Sequence, residues 1–239
     1  MDIKSYVADV GSLENKALFE QWYRAVSPDR REKVDRMRFD KDKRLSLGAG
    51  ALLKIALKEA GLEDYTLTKE KNQKPCLDGM VDIKFNLSHS GNKVMCVISD
   101  CDIGCDVQKI TNIDMDLAKR FFFSDEYDAL RQCENSEERK DLFFRYWTLK
   151  ESFMKVTGLG LMLPLDDFCI RINGEEVYVS QQLDHRRYYF YEFDPKDGYK
   201  YALCSADKPV GRIEMINRDF YDHPFHDFKI ERQDIVTQL

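Results

Sequence analysis

The chain has 239 residues, 43% of them hydrophobic, with 15 Phe and 12 Tyr against 12 Gly and 6 Pro. That length and composition support a core of ordinary size and exclude a disordered or low-complexity chain. The formal net charge of −6 argues against nucleic acid as a main partner, and leaves room for a local basic site for a phosphorylated ligand.

In chain order, a short strand is expected over 3–7, then helices over 13–26, 30–38 and 43–60, the last stopped by Gly61. Strand-like runs follow at 65–69, 82–87 and 94–99. The same order then recurs. A strand is expected over 103–107, helices over 114–122, 124–133 and 138–157, and strands over 168–172, 188–193 and 199–205. Runs of helices followed by runs of strands point to an α+β fold with antiparallel sheets rather than βαβ alternation. The repeat predicts two similar α+β subdomains, 1–103 and 104–239, each with helices packed on a small, mostly antiparallel sheet, and a ligand cleft at their seam. No element is predicted after Lys208. The His223 and His226 pair there lacks a nearby third ligand, so it makes a poor metal site.

Seven cysteines, an odd number without CxxC spacing, read as free thiols of a reducing cytoplasm. The first ten residues carry Asp2, Lys4 and Asp9 and no apolar signal core. No run has the length of a membrane span, so a cytoplasmic protein with no membrane partner is expected.

Four places can carry chemistry. The segment Phe85, Asn86, Leu87, Ser88, His89, Ser90, Gly91 lies between two strand-like runs and reads as a polar connection. Its hydroxyls and imidazole can hold phosphate, although an ordinary hairpin turn uses the same residue types and is the readier reading of the fragment alone. On the strand over 103–107, alternation puts Asp106 and Gln108 on one face. There they offer oxygens to a hard cation, or simply form a polar strand face. On the helix over 138–157, Leu142, Tyr146, Leu149 and Phe153 face the core, while Trp147, Glu151 and Lys155, four apart, share another face. A solvated Glu–Lys pair explains two of those three, but not the Trp beside them. Arg30, Arg31, Lys33, Lys43, Arg44 and Lys74 can clamp phosphates, or belong to a mixed charged surface with Asp29, Glu32 and Asp42. No Walker loop, GxGxxG, GxSxG or HExxH is present.

Taken in order, Lys74–Pro75, the block from Phe85 to Gly91, Gly104–Cys105–Asp106–Val107 and the block from Trp147 to Lys155 resemble the 4'-phosphopantetheinyl transferase family, in its long, surfactin-synthetase type. The resemblance runs from about Ser27 to Ser205. It implies a pseudo-dimer of two α+β halves with coenzyme A, the substrate, in the cleft between them. It implies that Arg30, Lys33, Arg44, Lys74, Pro75, Ser88 and His89 hold the 3'-phosphate and adenine side. Lys150 and Lys155 would meet the pyrophosphate, with Lys155 also among the catalytic groups. Asp106 and Glu151, with Gln108, would hold Mg2+ (or Mn2+), and Glu151 doubles as a candidate general base. The other partner implied is an apo acyl or peptidyl carrier protein, and a monomer is expected. The chain departs from the family at Gln108, where many members carry an acid, which predicts weaker metal affinity or an altered metal preference, with activity kept. Two other readings stand beside this one: a coenzyme A or carrier-binding module whose metal site has decayed at Gln108, and a different metal-dependent phosphotransfer enzyme such as a nuclease. The acidic balance and the lack of a carboxylate triad weigh against the second.

Overall fold

Polar side chains placed to take up free backbone amides set most of the helix starts. In the computed structural model, which describes residues 2–221 apart from 71 and 73 and the backbone of 232–234, strand β1 (Ile3–Asp9) leads into a short 3-10 turn, Val10–Glu14. Asn15 accepts hydrogen bonds from the amides of Ala17 and Leu18 (3.0 and 3.2 Å) and opens α1 (Lys16–Ala25), three residues later than the expected start at 13. Ser27 caps α2 (Pro28–Asp35) through the Arg30 amide at 3.3 Å; Pro28 suits the first helical turn because its missing N–H would be unpaired there, so this helix starts before 30. Helix α3 (Asp40–Glu59) follows.

The chain folds as two units, each with a long helix against a mostly antiparallel sheet, an α+β arrangement. The first unit comprises 1–68, 77–100 and 209–239. Its sheet has the order β12-β11-β1-β5-β4, with β4 (Lys84–Ser90), β5 (Lys93–Ser99), β11 (Ile213–Arg218) and β12 (Arg232–Asp234). All neighbours run antiparallel except β1 and β11, which pair in parallel with Ile3 opposite Ile213. Helix α3 packs its buried Leu47, Leu52, Leu53 and Ala56 into a core shared with Tyr6, Trp22, Val94, Cys96 and Phe220.

The second unit comprises 69–76 and 101–208. The hairpin of β2 (Leu67–Lys69) and β3 (Pro75–Leu77) supplies its first segment. Its main sheet has the order β6-β10-β9, with β6 (Ile103–Lys109), β9 (Tyr189–Phe193) and β10 (Tyr199–Ser205), all antiparallel. Helices α4 (Met115–Phe121) and α5 (Ser124–Gln132) precede α6 (Ser136–Thr157), which lies along β6 and β10. A separate hairpin joins β7 (Cys169–Asn173) and β8 (Glu176–Ser180).

Three expectations are corrected. The tail after Lys208, expected to hold no element and to belong to 104–239, carries β11, which pairs with β1 in the first unit's sheet. The reason is that β1 is buried along most of its length and takes a strand on each edge. Residues 69–76 likewise belong with the second unit rather than with 1–103. The block from Phe85 to Gly91 is not a connection: β4 runs through it to Ser90, and the turn comes at Gly91 and Asn92. His223 and His226 lie outside the described residues. No helix among those described is long and apolar enough to cross a membrane.

Candidate active site

Strand alternation on β6 turns Asp106 and Gln108 to the same face. The Gln108 amide donates to Asp106 Oδ2 at 3.0 Å. Across the ladder from Asp106 stands Ala202, and opposite Gly104 stands Cys204. These small residues let α6 come close. At Gly104 a Cβ would run into the carbonyl of Ser152 and lie 2.6 Å from the amide nitrogen of Val156, so only glycine fits this approach.

The close approach brings Lys155 onto the strand. Its ammonium donates to Asp106 Oδ1 at 2.7 Å and to the Cys105 carbonyl at 2.9 Å. Asp106 is buried at 1% exposure, and Lys155 keeps a quarter of its side chain exposed. Burial pulls the Lys155 ammonium down, and the charge of Asp106 with its hydrogen bond outweighs that, leaving Lys155 above the ordinary lysine value. Glu151, one turn earlier on α6, is held above the usual carboxylate range, first by burial and then by the charge of Asp106, with Lys155 working the other way.

Two carboxylates and one lysine leave the cluster with one surplus negative charge, beside a neutral amide oxygen on Gln108. Among the described residues no three of His, Cys, Asp and Glu converge. A set of two carboxylates and an amide suits a hard divalent ion that keeps several waters, and not a soft metal. The residues therefore fit the metal implied by the sequence.

Lys150 does not join this cluster, which corrects its expected contact with pyrophosphate. It is 0% exposed and points to the other side of α6. There it donates to Glu126 Oε1 (2.7 Å), the Leu165 carbonyl (2.9 Å) and the Phe168 carbonyl (2.7 Å), and its charge lies 4.1 Å from the centre of the Phe168 ring. Glu126 in turn accepts from the amides of Ile170 (2.6 Å) and Phe123 (2.9 Å). Burial pushes Glu126 up and Lys150 down, and their attraction opposes both shifts. Sequence reading missed Glu126, because a partner 24 positions away leaves no local pattern. Trp147 is half-buried and stacks on Phe143 with centroids 5.8 Å apart.

The other predicted residues lie on several elements of each unit. In the first unit, Arg30 on α2 donates to the Ser46 carbonyl at 3.3 Å, and burial holds its guanidinium below the ordinary arginine value. Lys33 is exposed on the same helix, and Arg44 on α3 pairs with Glu14 at 3.3 Å. On β4, Ser88 is buried opposite Met95, and His89 is exposed opposite Val94. In the second unit, Lys74 donates to the Ile103 and Lys155 carbonyls, and the exposed Pro75 begins β3.

A family model described as the 4'-phosphopantetheinyl transferase superfamily matches residues 102–204, and one described as 4'-phosphopantetheinyl transferase, N-terminal, matches 14–101. Over 193 residues the chain is 35% identical to 4'-phosphopantetheinyl transferase Sfp of Bacillus subtilis (strain 168), covering 78% of this chain and 85% of that protein. It is 32% identical over 197 residues to 4'-phosphopantetheinyl transferase psf-1 of Bacillus pumilus, covering 80% and 83%. Among solved structures, holo-acyl-carrier-protein synthase (AcpS) of Thermotoga maritima aligns with a TM-score of 0.39 and 18% identity over 46% of this chain and 64% of that one. The chain belongs to the 4'-phosphopantetheinyl transferase superfamily, as a member of the Sfp-like type.

Proposed function

We propose that phosphopantetheine transfer from coenzyme A to a carrier protein, the reaction of this superfamily, runs here at Asp106, Glu151 and Lys155, with Mg2+ as the divalent ion and 3',5'-adenosine bisphosphate as the released product. The chain is an enzyme whose partners are coenzyme A and a carrier protein and whose chemistry uses a divalent metal ion. The observation that carries the site assignment is Asp106, held at 2.7 Å by Lys155 on one oxygen and at 3.0 Å by Gln108 on the other.

Asp106 and Glu151, with the Gln108 carbonyl oxygen, would hold the metal. Bound there, Mg2+ would supply positive charge to the pyrophosphate oxygens. Lys155 adds a fixed positive charge beside the same oxygens, positioned before reaction by its bonds to β6. A bond forms between the carrier serine Oγ and the β-phosphorus, and the bond from that phosphorus to the bridging oxygen breaks. Glu151 takes the serine proton, directly or through one water. Arg30, Lys33, Arg44, Ser88 and His89 serve the nucleotide end of coenzyme A. The carrier docks on α4, where Leu117 is 36% exposed, Lys119 and Arg120 are exposed, and the guanidinium of Arg120 covers the Phe121 ring at 5.1 Å. An acidic carrier would meet both charge and apolar surface there. The protein acts as a cytoplasmic monomer without nucleic-acid or membrane partners.

The test is intact mass of an apo carrier after incubation with coenzyme A and Mg2+. A gain of one phosphopantetheine, abolished by EDTA and by Asp106→Ala or Glu151→Ala, is expected; near-normal loading by either variant overturns its role. Gln108 favours a second reading, a binding module with a weakened metal site. Coenzyme A binding without loading of any of several carriers would establish that reading instead.

A further inference from the structure

The two elements that carry the transfer site meet at a tight crossing. At Gly104 the backbones of β6 and α6 are in contact, and one residue on, Lys155 holds the Cys105 carbonyl. On the same crossing lies Lys74, from a distant part of the sequence. Its ammonium donates to the carbonyl of Lys155 on α6 at 2.9 Å and to the carbonyl of Ile103 on β6 at 3.3 Å. One side chain thus spans the helix that carries Lys155 and the strand that carries Asp106.

The surroundings fit this arrangement. The Lys155 carbonyl is one of the last four of α6, which have no partner inside the helix, and a cation there also meets the negative end of the helix dipole. Asn72, two residues before Lys74, donates to the carbonyl of Gly158, the left-handed cap of α6, and accepts from the Lys74 amide at 3.2 Å. Asn72 and Lys74 therefore both hold the C-terminal end of α6.

We propose that Lys74 is a positioning residue for transfer: by bridging the carbonyls of Ile103 and Lys155 it sets the distance between the strand bearing Asp106 and the helix bearing Glu151 and Lys155. This rests on the transferase site proposed above, and it gives Lys74 a role other than the phosphate contact implied by the sequence. Its effect on substrate is indirect, through the register of β6 and α6. A small slip of that register separates the carboxylates that must hold one ion.

Lys74→Met, Lys74→Arg and wild type would be compared in the carrier-loading assay, in Mg2+ titrations, and by calorimetric binding of 3',5'-adenosine bisphosphate in EDTA. In Lys74→Met, kcat is expected to fall about 100-fold, the cost of a misplacement near 1 Å, with the half-saturating Mg2+ concentration raised about 10-fold or more. Adenosine bisphosphate affinity stays within about 2-fold of wild type, since no phosphate contact is lost. Lys74→Arg, which can still donate to two carbonyls, recovers most of kcat. Weakened adenosine bisphosphate binding with kcat and the Mg2+ titration unchanged overturns the proposal and makes Lys74 a phosphate ligand. If Lys74→Met fails to fold, Lys74→Arg decides: a folded arginine variant with kcat as low as that of Lys155→Ala overturns positioning. A wild type that loads no carrier refutes the transferase site itself, whereas a wild type that loads normally beside an equally active Lys74→Met refutes only the role of Lys74.

Discussion

Lys150 and Lys155 are five positions apart on α6, which turns them about 140° from one another around the helix. One is sealed with Glu126 in the second unit's core, and the other meets Asp106 at the site. Lys150→Ala would strand the Glu126 carboxylate in the core, so a stability loss of about 3–5 kcal/mol by urea unfolding is expected, with coenzyme A affinity of the folded protein retained. A normal unfolding midpoint with weakened coenzyme A binding would restore the pyrophosphate role to Lys150. Gln108 invites the opposite kind of change. Gln108→Glu adds a full charge beside Asp106 Oδ2, and the half-maximal Mg2+ concentration for carrier loading should fall; an unchanged concentration would count against Gln108 as a ligand.

At the scale of elements, the site depends on how closely α6 can lie on β6. Gly104→Ala places a methyl against the Ser152 carbonyl, so the helix must lift. Loss of carrier loading by about 100-fold, with far-UV circular dichroism unchanged, is expected; loading within a few-fold of wild type would show that the crossing has slack. On α4, Arg120→Glu should raise the carrier KM and leave coenzyme A KM alone, and an unchanged carrier KM removes this helix from the docking surface. The misread element is β4. Asn86, Ser88, His89 and Ser90 have the composition of a turn, yet their backbones pair with β5 from Val97 to Lys93. A partner strand that supplies the ladder overrides weak local propensity.

At the scale of the whole molecule, the first unit takes in Arg218 and Phe220, far in sequence from the elements they join. Trp22 donates to the Phe220 carbonyl at 2.8 Å, and Arg218 on β11 reaches Glu59 on α3 at 2.6 Å. In the second unit, Lys200 on β10 ties Asp141 of α6 (2.6 Å) to Asp194 (3.1 Å). Burial pushes the Asp194 carboxyl up, and the bonds from Lys196 and Lys200 outweigh it, leaving it below the usual carboxylate range. A depressed carboxyl contributes stability above its unfolded value and loses it as pH falls through the folded one. The stability gap between wild type and Asp194→Asn should therefore be open at pH 6 and close below about pH 4, as followed by urea unfolding; a gap independent of pH would exclude this linkage.

Periodicity and local chemistry alone determined the α+β class, the order of the principal helices, and the pairing of Asp106 with Gln108 on one strand face and of Glu151 with Lys155 on one helix face. These follow from fixed repeats of 2 and 3.6 residues, which act on neighbours in the chain. Only the tertiary structure decided that Lys150 belongs to Glu126, that Lys74 bridges β6 and α6, and that residues 213–218 lie beside β1. Each joins groups far apart in sequence, and their partners are chosen by burial and by unpaired backbone groups, which leave no periodic trace in the chain.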